Sequence, residues 1–419
     1  MVTHGALTVY AKIKPGMVEQ LRLKLYEIHT PPNDIETNPI VPFKSITTIH
    51  FARFVILEEA KDLKGNTISP SLVLSTNYDK PLNKHIEELA QIAGAGLEEI
   101  FNYCVGFERG DDLAAFIKKH KMSCAAFYKG TPYRSVPRIL REAELREDIA
   151  NYIDKQVKSD KSFNAHTLRN KIVEYVNSEK RYAWICNKEN PTFLWKVWFL
   201  ISKIFCVLTI TPVAVLAAIC GIIPIRIKER QDSSEKNVLE EEKILKLVNE
   251  EDKIVQNQLT HLVDIKPGWF RLITLKFVLF IINLLAIYKF NKGELGSIPS
   301  IHFARWVIID NGRRLLFFSN FDGSWENYLG DFVDIAAVGL TGVWSNTVDF
   351  PKTKFLIFEG ATDEQKFKTW TRAHQIPTQV WYSAYKLLSV QNINNNSAIR
   401  EGLTGAMSDK EIKDWLKRF

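Results

Sequence analysis

The stretch Ser45–Ile56, which reads SITTIHFARFVI, recurs 252 positions later as Ser297–Ile308, SIPSIHFARWVI, and nine of the twelve residues are identical. Two further blocks repeat in the same order, one 243 and the other 254 positions apart. The first matches Asn77–Asp79 with Asn320–Asp322, and the second matches His120, Tyr128 and Arg146-Glu147 with His374, Tyr382 and Arg400-Glu401. Three colinear, ungapped blocks indicate that residues 7–152 and 259–406 are two copies of one domain.

Each copy shows the same order of hydrophobic patterns. In the first copy, alternating residues predict strands at Thr8–Lys12, Ile46–Leu57, Leu72–Thr76 and Cys124–Tyr128. Apolar residues at helical spacing between Ile86 and Ile100 predict a long amphipathic helix. With a helix after the first strand and another before the last, the order is β-α-β-β-α-β, the ferredoxin-like unit. The sequence therefore predicts an α+β fold.

This order of elements resembles the dimeric α+β barrel superfamily, here with both halves in one chain. The resemblance covers the topology of about 290 residues and implies two ferredoxin-like repeats that form one intrachain pseudo-dimeric barrel. The superfamily includes haem proteins similar to dye-decolourising peroxidases and chlorite dismutases, together with many members that lack haem. The haem motif G-x-x-D-G is incomplete: Asp322-Gly323 matches its end, Gly is absent three positions before Asp322, and the first copy has Asp79-Lys80.

Composition narrows the class of protein. With 46% hydrophobic residues, 25% charged residues and a net charge of +7, the chain is globular and does not call for a nucleic-acid partner. Its five cysteines include no C-x-x-C pair, which favours reduced thiols in a cytoplasmic protein. No signal peptide is expected before the first strand. No P-loop, H-E-x-x-H or zinc spacing is present, so no separate metal site is predicted.

The segment between the copies, residues 153–258, contains a hydrophobic membrane segment at 193–225 and a charged stretch predicted to be helical at 233–258. Phe205–Ile225 carries no charge over 21 residues. The second copy has an apolar first helix at 270–288, and residues 407–419 predict a C-terminal amphipathic helix.

Topology limits how these segments meet a membrane. A single crossing at Phe205–Ile225 would put the two copies on opposite sides, where they could pair only between chains. The preferred prediction is attachment from one side, with the segment either turning back near Pro212 or lying in the interface. A single span and a buried pair of soluble helices are the two alternatives.

The Asn311-Gly312 hairpin predicts a register in which Phe303 faces Asn320 and Arg305 faces Phe318. Regular alternation then puts Arg305, Asn320 and Asp322 on one face of the sheet and His302 on the other. Arg305 beside Asn320 could bind an anion, a peroxide or a carboxylate, or it could satisfy backbone carbonyls. His302 could bind a metal or haem iron, or be a hydrogen-bonded core residue.

Two more pairs are candidates for a site and also have a structural interpretation. Asp79 and Asp322 precede a helix and are explained by helix capping. His374 and its counterpart His120 end a helix, where a cation suits the helix C-terminus. Retention of these side chains in both copies reflects either two sites or one shared fold.

The sequence thus predicts a membrane-associated oxidoreductase, haem-dependent and peroxidase-like, that acts on an apolar or lipid-derived substrate, with both repeats on the cytoplasmic side. Its predicted catalytic residues are Arg53, Arg305, Asn320 and Asp322, and its predicted haem-binding residues are His50, His302 and His374. The expected partners are membrane lipid, a small apolar ligand or peroxide, and further copies of the chain. The alternatives are a non-catalytic lipid-binding or membrane scaffold protein and a cofactor-free monooxygenase.

Overall fold

The computed structural model describes residues 2–159, 164–186, 192–232, 237–290, 293, 295 and 298–419. Its main strands are β1 His4–Lys12, β2 Ile49–Leu57, β3 Ser71–Asp79, β4 Cys124–Lys129, β5 Gln256–Asp264, β6 Ile301–Ile309, β7 Arg314–Asp322 and β8 Val380–Ser383. Its helices are α1 Val18–Tyr26, α2 Leu82–Phe101, α3 Leu113–Lys119, α4 Val136–Ser159, α5 Ala165–Ser178, α6 Phe193–Gln231, α7 Glu241–Val248, α8 Trp269–Tyr288, α9 Trp325–Trp344, α10 Glu364–His374, α11 Val390–Gly402 and α12 Asp409–Leu416.

The strands form two antiparallel four-stranded sheets, and the fold is α+β as predicted. The strand orders are β1-β3-β2-β8 and β4-β6-β7-β5. Read from the first strand of each copy, the two orders are equivalent, which confirms the predicted correspondence of the copies. The predicted hairpin pairs Phe303–Asn320 and Arg305–Phe318 are also present.

The fourth strand of each copy belongs to the sheet of the other copy. β4 follows the first copy but pairs with β6, and β8 follows the second copy but pairs with β2. Just before β4 the chain also bonds to β1, through Tyr10 N–H to His120 O at 3.0 Å and Met122 N–H to Thr8 O at 2.8 Å. In the second copy, Ile376 N–H donates to Thr260 O of β5 at 2.9 Å. The two sheets are therefore linked at both edges.

Each sheet buries both faces. The outer face of the first sheet packs on α1, α2 and α3, and that of the second packs on α8, α9 and α10. Between the sheets lies a smaller apolar cluster drawn from both copies, which includes Val55, Val73, Val307 and Phe318. Because both faces are covered, every residue of the strands β2 and β3 is buried, including their polar residues.

The segment between the copies differs from its prediction. Within the predicted charged helix 233–258, only Glu241–Val248 is α-helical, and Gln256–Gln258 already belongs to β5. Residues 233–236 lie outside the described part of the chain. The predicted apolar helix 270–288 agrees closely with α8, and the C-terminal helix is α12, capped by Ser408 and Glu411.

Two helices, α6 and α8, are long and apolar enough to cross a membrane by length and composition. In the most apolar stretch of 18 residues in α6, no residue is buried. The backbone stays helical through Pro212, so the sharp turn predicted there is wrong. The single span with copies paired between chains is also wrong, because strands before and after α6 pair within one chain.

Both ends of α6 contact the same body as α8. Near the start of α6, the Phe199 ring lies 5.3 Å from the ring of Tyr288, at the end of α8. After its end, Asp232 Oδ2 accepts from Arg271 Nη2, at the start of α8, at 2.7 Å. A helix of this length would span about 58 Å if straight, whereas α8 spans about 30 Å. The helix α6 must therefore bow between the two contacts, and its internal prolines are where backbone hydrogen bonds are already missing.

Candidate functional site

A β-bulge in each copy turns a histidine toward an aspartate. In β2 the pairing shifts between Ile49 and Phe51, so His50 is the extra residue, and its Nε2 lies 3.0 Å from Asp79 Oδ1. In β6 the same shift lies between Ile301 and Phe303, and His302 Nε2 lies 2.7 Å from Asp322 Oδ1. A bulge is a local device that re-aims one side chain.

The bulge corrects the predicted faces of β6. Asp322 and Phe318 are four residues apart on β7 and share one face, and the Arg305 guanidinium lies over the Phe318 ring at 5.2 Å. His302 reaches Asp322 on that same face, so His302 and Arg305 are not on opposite faces. The prediction counted regular alternation through His302 and could not include the extra residue.

Each aspartate also holds the start of a distant helix. Asp79 Oδ2 accepts from Val136 N–H at 3.0 Å, at the first residue of α4, and Asp322 Oδ2 accepts from Val390 N–H at 2.7 Å, at the first residue of α11. The predicted capping of the next helix in sequence is wrong, since α2 has no side-chain cap and Ser324 caps α9. The His–Asp–helix unit is thus repeated in both copies.

The first copy adds a second histidine, which the sequence analysis missed. His4 pairs with Asp79 across β1 and β3, and its Nε2 lies 3.6 Å from Asp79 Oδ1 and 2.9 Å from Arg134 O. The rings of His4 and His50 are 4.7 Å apart. The position equivalent to His4 in the second copy holds Gln256, whose amide donates to the carbonyl oxygens of Tyr385 and Leu388. Pairing β1 with β3 in register would have revealed this difference.

Burial controls the protonation of this cluster. Desolvation, followed by the neighbouring His50, lowers the pKa of His4 to about 3, so its ring is neutral near pH 7. Burial works to raise the pKa of Asp79, but the adjacent His50 and His4 and the Val136 N–H outweigh burial and lower it. His50 Nδ1 lies 3.0 Å from Tyr385 Oη. The cluster therefore combines two imidazoles with a carboxylate held in its charged form.

The predicted catalytic arginines lie between the two sheets. Arg53 donates to Gln258, Leu259, Thr260, Ser319 and Asn320 at 2.5 to 3.0 Å, all in the second copy. Arg305 donates to Thr76 O at 3.0 Å and to Ser75 Oγ, both in the first copy. Burial lowers the pKa of both guanidinium groups, that of Arg305 to about 10. These contacts favour the structural interpretation, in which each arginine satisfies acceptors of the other copy.

His374 lies in a different environment. Its Nδ1 is 2.9 Å from Trp370 O, one turn back in α10, and its ring is 5.7 Å from that of His261. Burial lowers its pKa, so a charge at the helix C-terminus is not favoured. It packs in the core beside α10 and, within the described residues, does not contact His302 or His50.

The predicted histidines do not fit haem. Each Nε2 that would ligate haem iron lies within 3.0 Å of an aspartate oxygen, which leaves no room for a macrocycle between the two groups. Their rings are enclosed by Phe51, Phe303 and Tyr385, whose ring centroids are 5.2 to 5.8 Å away. Both histidines are fully buried, and a macrocycle beside either would have to displace these aromatic rings.

A pocket of about 390 Å³ lies where the start of α6 meets the end of α8. Its apolar side is formed by Trp195, Trp198, Phe199 and Tyr288, and its cationic side by Lys80 and Lys129. His4 also lines it, which connects the pocket to the His4–His50–Asp79 cluster. Burial, and then the nearby Lys80, lower the pKa of Lys129 to about 8. Among the described residues, no carboxylate pairs with either lysine.

No protein-family model, curated protein or solved structure matches this chain.

Proposed function

We propose that this chain is a membrane-attached lipid-binding protein that holds the headgroup of an anionic phospholipid in the pocket between α6 and α8. The observation that carries the proposal is the junction of two exposed apolar helices at a pocket with two lysines and four aromatic rings. Aromatic residues and lysines at one level are typical of the boundary between lipid chains and headgroups. Of the two main functions predicted from the sequence, the geometry favours lipid binding over haem-dependent oxidation.

The two helices support attachment from one side. Exposed apolar area costs roughly 25 cal/mol per Å² in water, so the bare surface of α6 favours a lipid environment. Both ends of α6 return to the same body: Trp195 contacts Tyr133 at 5.8 Å between ring centroids, and Glu229 accepts from the N–H groups of Phe355 and Leu356 at 2.9 and 2.8 Å. A helix anchored at both ends enters the membrane from the face that carries the two copies. We place that face on the cytoplasmic side.

The closed arrangement of strands supports a more specific fold. The segment just before each fourth strand bonds to the first strand of its own copy, and the fourth strand itself pairs with the second strand of the other copy, which connects the eight strands into a ring. We propose that the chain is an intrachain pseudo-dimeric α+β barrel built from two ferredoxin-like repeats. The barrel interior is filled by side chains such as Arg53, Arg305 and Phe318, so the ligand site lies outside it, under α6.

The headgroup proposal is tested with the full chain and sealed vesicles. Partition into phosphatidylcholine vesicles, with and without phosphatidylglycerol, is measured by flotation for the wild type and for Lys80→Gln/Lys129→Gln. Each lysine near an anionic surface contributes about 1 kcal/mol, so the double variant should bind anionic vesicles about 30-fold more weakly. Binding to phosphatidylcholine alone should not change.

The matched control is Lys118→Gln/Lys119→Gln, which removes the same charge from the end of α3. This control should keep most of its affinity for anionic vesicles. Equal losses in the two double variants would mean that only net charge matters and would overturn the headgroup site. A wild type that binds no vesicles at all would overturn the membrane attachment itself.

A further inference from the structure

The three donor atoms of the His4–His50–Asp79 cluster converge on one point. The side-chain ligand atoms all lie within 4.8 Å of one another, and Asp79 Oδ1 is 3.0 Å from His50 Nε2 and 3.6 Å from His4 Nε2. Donors that share one ion at about 2.0 to 2.2 Å are themselves roughly 3 to 3.5 Å apart. The two distances from Asp79 Oδ1 to the histidine nitrogens are therefore close to the spacing of ligands around a metal.

The second copy has the same framework but lacks one of the three donors. There Gln256 replaces His4, and its amide donates to two backbone carbonyls. In the first copy His4 is only 1% exposed, and its Nδ1, like His302 Nδ1 in the second copy, has no hydrogen-bond partner among the described residues. The difference between Gln256 and His4 therefore separates a hydrogen-bonded framework from a set of donors with two histidines and one carboxylate.

The surrounding contacts hold the donors in place. Asp79 keeps one oxygen on the Val136 N–H and turns the other toward the histidines. Tyr385 Oη lies 3.0 Å from His50 Nδ1, which fixes the orientation of that ring. Arg134 O, 2.9 Å from His4 Nε2, is a further oxygen close to the donors. Such outer contacts orient the ligands of metal sites.

We propose that His4, His50 and Asp79 bind one divalent ion of the first transition row. Two neutral imidazoles and one carboxylate suit Zn²⁺, Fe²⁺, Mn²⁺ or Co²⁺, and three protein ligands leave a coordination position open. On binding, the Nε2 protons of His4 and His50 move to the Nδ1 atoms of the same rings, which for His50 lies beside Tyr385 Oη, and the two freed Nε2 lone pairs take the metal. Because His4 lines the pocket under α6, this site goes beyond lipid binding and brings a metal to the proposed lipid site.

The experiment uses the full chain in detergent, without a polyhistidine tag, after dialysis against a chelator. Co²⁺ is titrated and its visible ligand-field absorption is recorded, and Zn²⁺ affinity is measured by competition with a chelating dye. The wild type should bind one Co²⁺ per chain. His4→Gln, which copies the second repeat and is therefore compatible with the fold, should weaken binding at least about 100-fold.

Two controls separate this site from other histidines. Asp322→Asn changes the equivalent carboxylate of the second copy, and His374→Gln changes a buried histidine of α10; both should bind Co²⁺ as the wild type does. Wild-type affinity no better than that of His4→Gln would overturn the proposal. His50→Gln, whose side chain does not line the pocket, should lose Co²⁺ binding and still float with anionic vesicles, so failure of the metal site and failure of lipid binding give different results.

Discussion

Asn320 Oδ1 accepts a hydrogen bond from Arg53 Nη2 at 2.5 Å, although the two residues belong to different copies. The Asn320 amide also donates to Asn77 Oδ1, at 3.1 Å, and accepts from Trp381 Nε1, at 3.0 Å. These contacts lie in the buried layer between the sheets. Arg53 therefore connects the two copies through polar contacts, and its removal should lower the stability of the fold.

We expect Arg53→Met to lower the free energy of unfolding by about 2 to 4 kcal/mol, because five acceptors of the second copy lose a buried charged donor. Arg305→Met should cost less, since Arg305 serves two acceptors. Denaturant unfolding followed by circular dichroism in detergent measures both. The exposed Arg141→Met is the control and should change little. An Arg53→Met variant as stable as the control would mean that guanidinium desolvation cancels all five bonds.

Two glycines on α2 give a matched pair for packing. A Cβ on Gly96 would lie 1.8 Å from the carbonyl oxygen of Ile40, whereas a Cβ on Gly94 would meet nothing within 4 Å. Gly96→Ala should therefore destabilise the fold by about 1 to 3 kcal/mol or more, since backbone must move. Gly94→Ala should stabilise it by up to about 1 kcal/mol through helix propensity. Thermal unfolding of both variants checks the signs, and similar melting temperatures would show that α2 can shift away from Ile40.

Much of the fold could be predicted because its signals are local. The strands, the Asn311-Gly312 hairpin and the apolar helix α8 follow from alternation, turn chemistry and helical spacing. The exchange of β4 and β8 between sheets could not be predicted, because a strand of the right pattern pairs equally well with either copy. The bulges at His50 and His302 add one residue to one strand only, and nothing in the residue types marks that position.

The candidate site could be predicted only in part, from the residues that the two copies share. His50, His302, Asp79 and Asp322 stood out because they are repeated, and they do form pairs. His4 stands out only by differing between the copies, so a search for shared residues passes over it. The donors His4, His50 and Asp79 come from three different strands, so no spacing along the chain could reveal the cluster.

Acid should destabilise the protein through its buried histidines. Burial lowers the pKa of His85 to about 3, and its ring lies between Thr48 Oγ1 and Thr76 Oγ1 at 2.9 and 2.8 Å. The unfolded chain takes up a proton near pH 6.5 while the folded chain does not, so stability is full above pH 6.5 and is lost as pH falls toward 3. The loss is at most about 1.4 kcal/mol per pH unit for each such group.

The His85 contribution is isolated by His85→Gln. Between pH 7 and pH 5 the variant should lose about 2 kcal/mol less unfolding free energy than the wild type, because one titrating group is gone. This window lies above the ordinary range of the carboxylates. Equal slopes in the wild type and His85→Gln would show that His85 is protonated in the folded state.

Attachment from one side predicts the labelling of loops from both copies. The loops are neighbours, because Arg313 Nη1 lies 3.0 Å from Asp62 Oδ2, so Lys64→Cys and Asn311→Cys should react with a water-soluble maleimide from the same side of sealed vesicles. Native Cys124 and Cys186 are exposed and are first replaced by serine, whereas Cys206 and Cys220 lie on α6 and serve as internal reporters. In intact vesicles the thiols of Cys206 and Cys220 should be protected from the maleimide. They should react only after detergent has dissolved the vesicles. Labelling of position 64 from one side and position 311 from the other would contradict the pairing of the copies in one body. Rapid labelling of Cys220 in intact vesicles would place α6 in water.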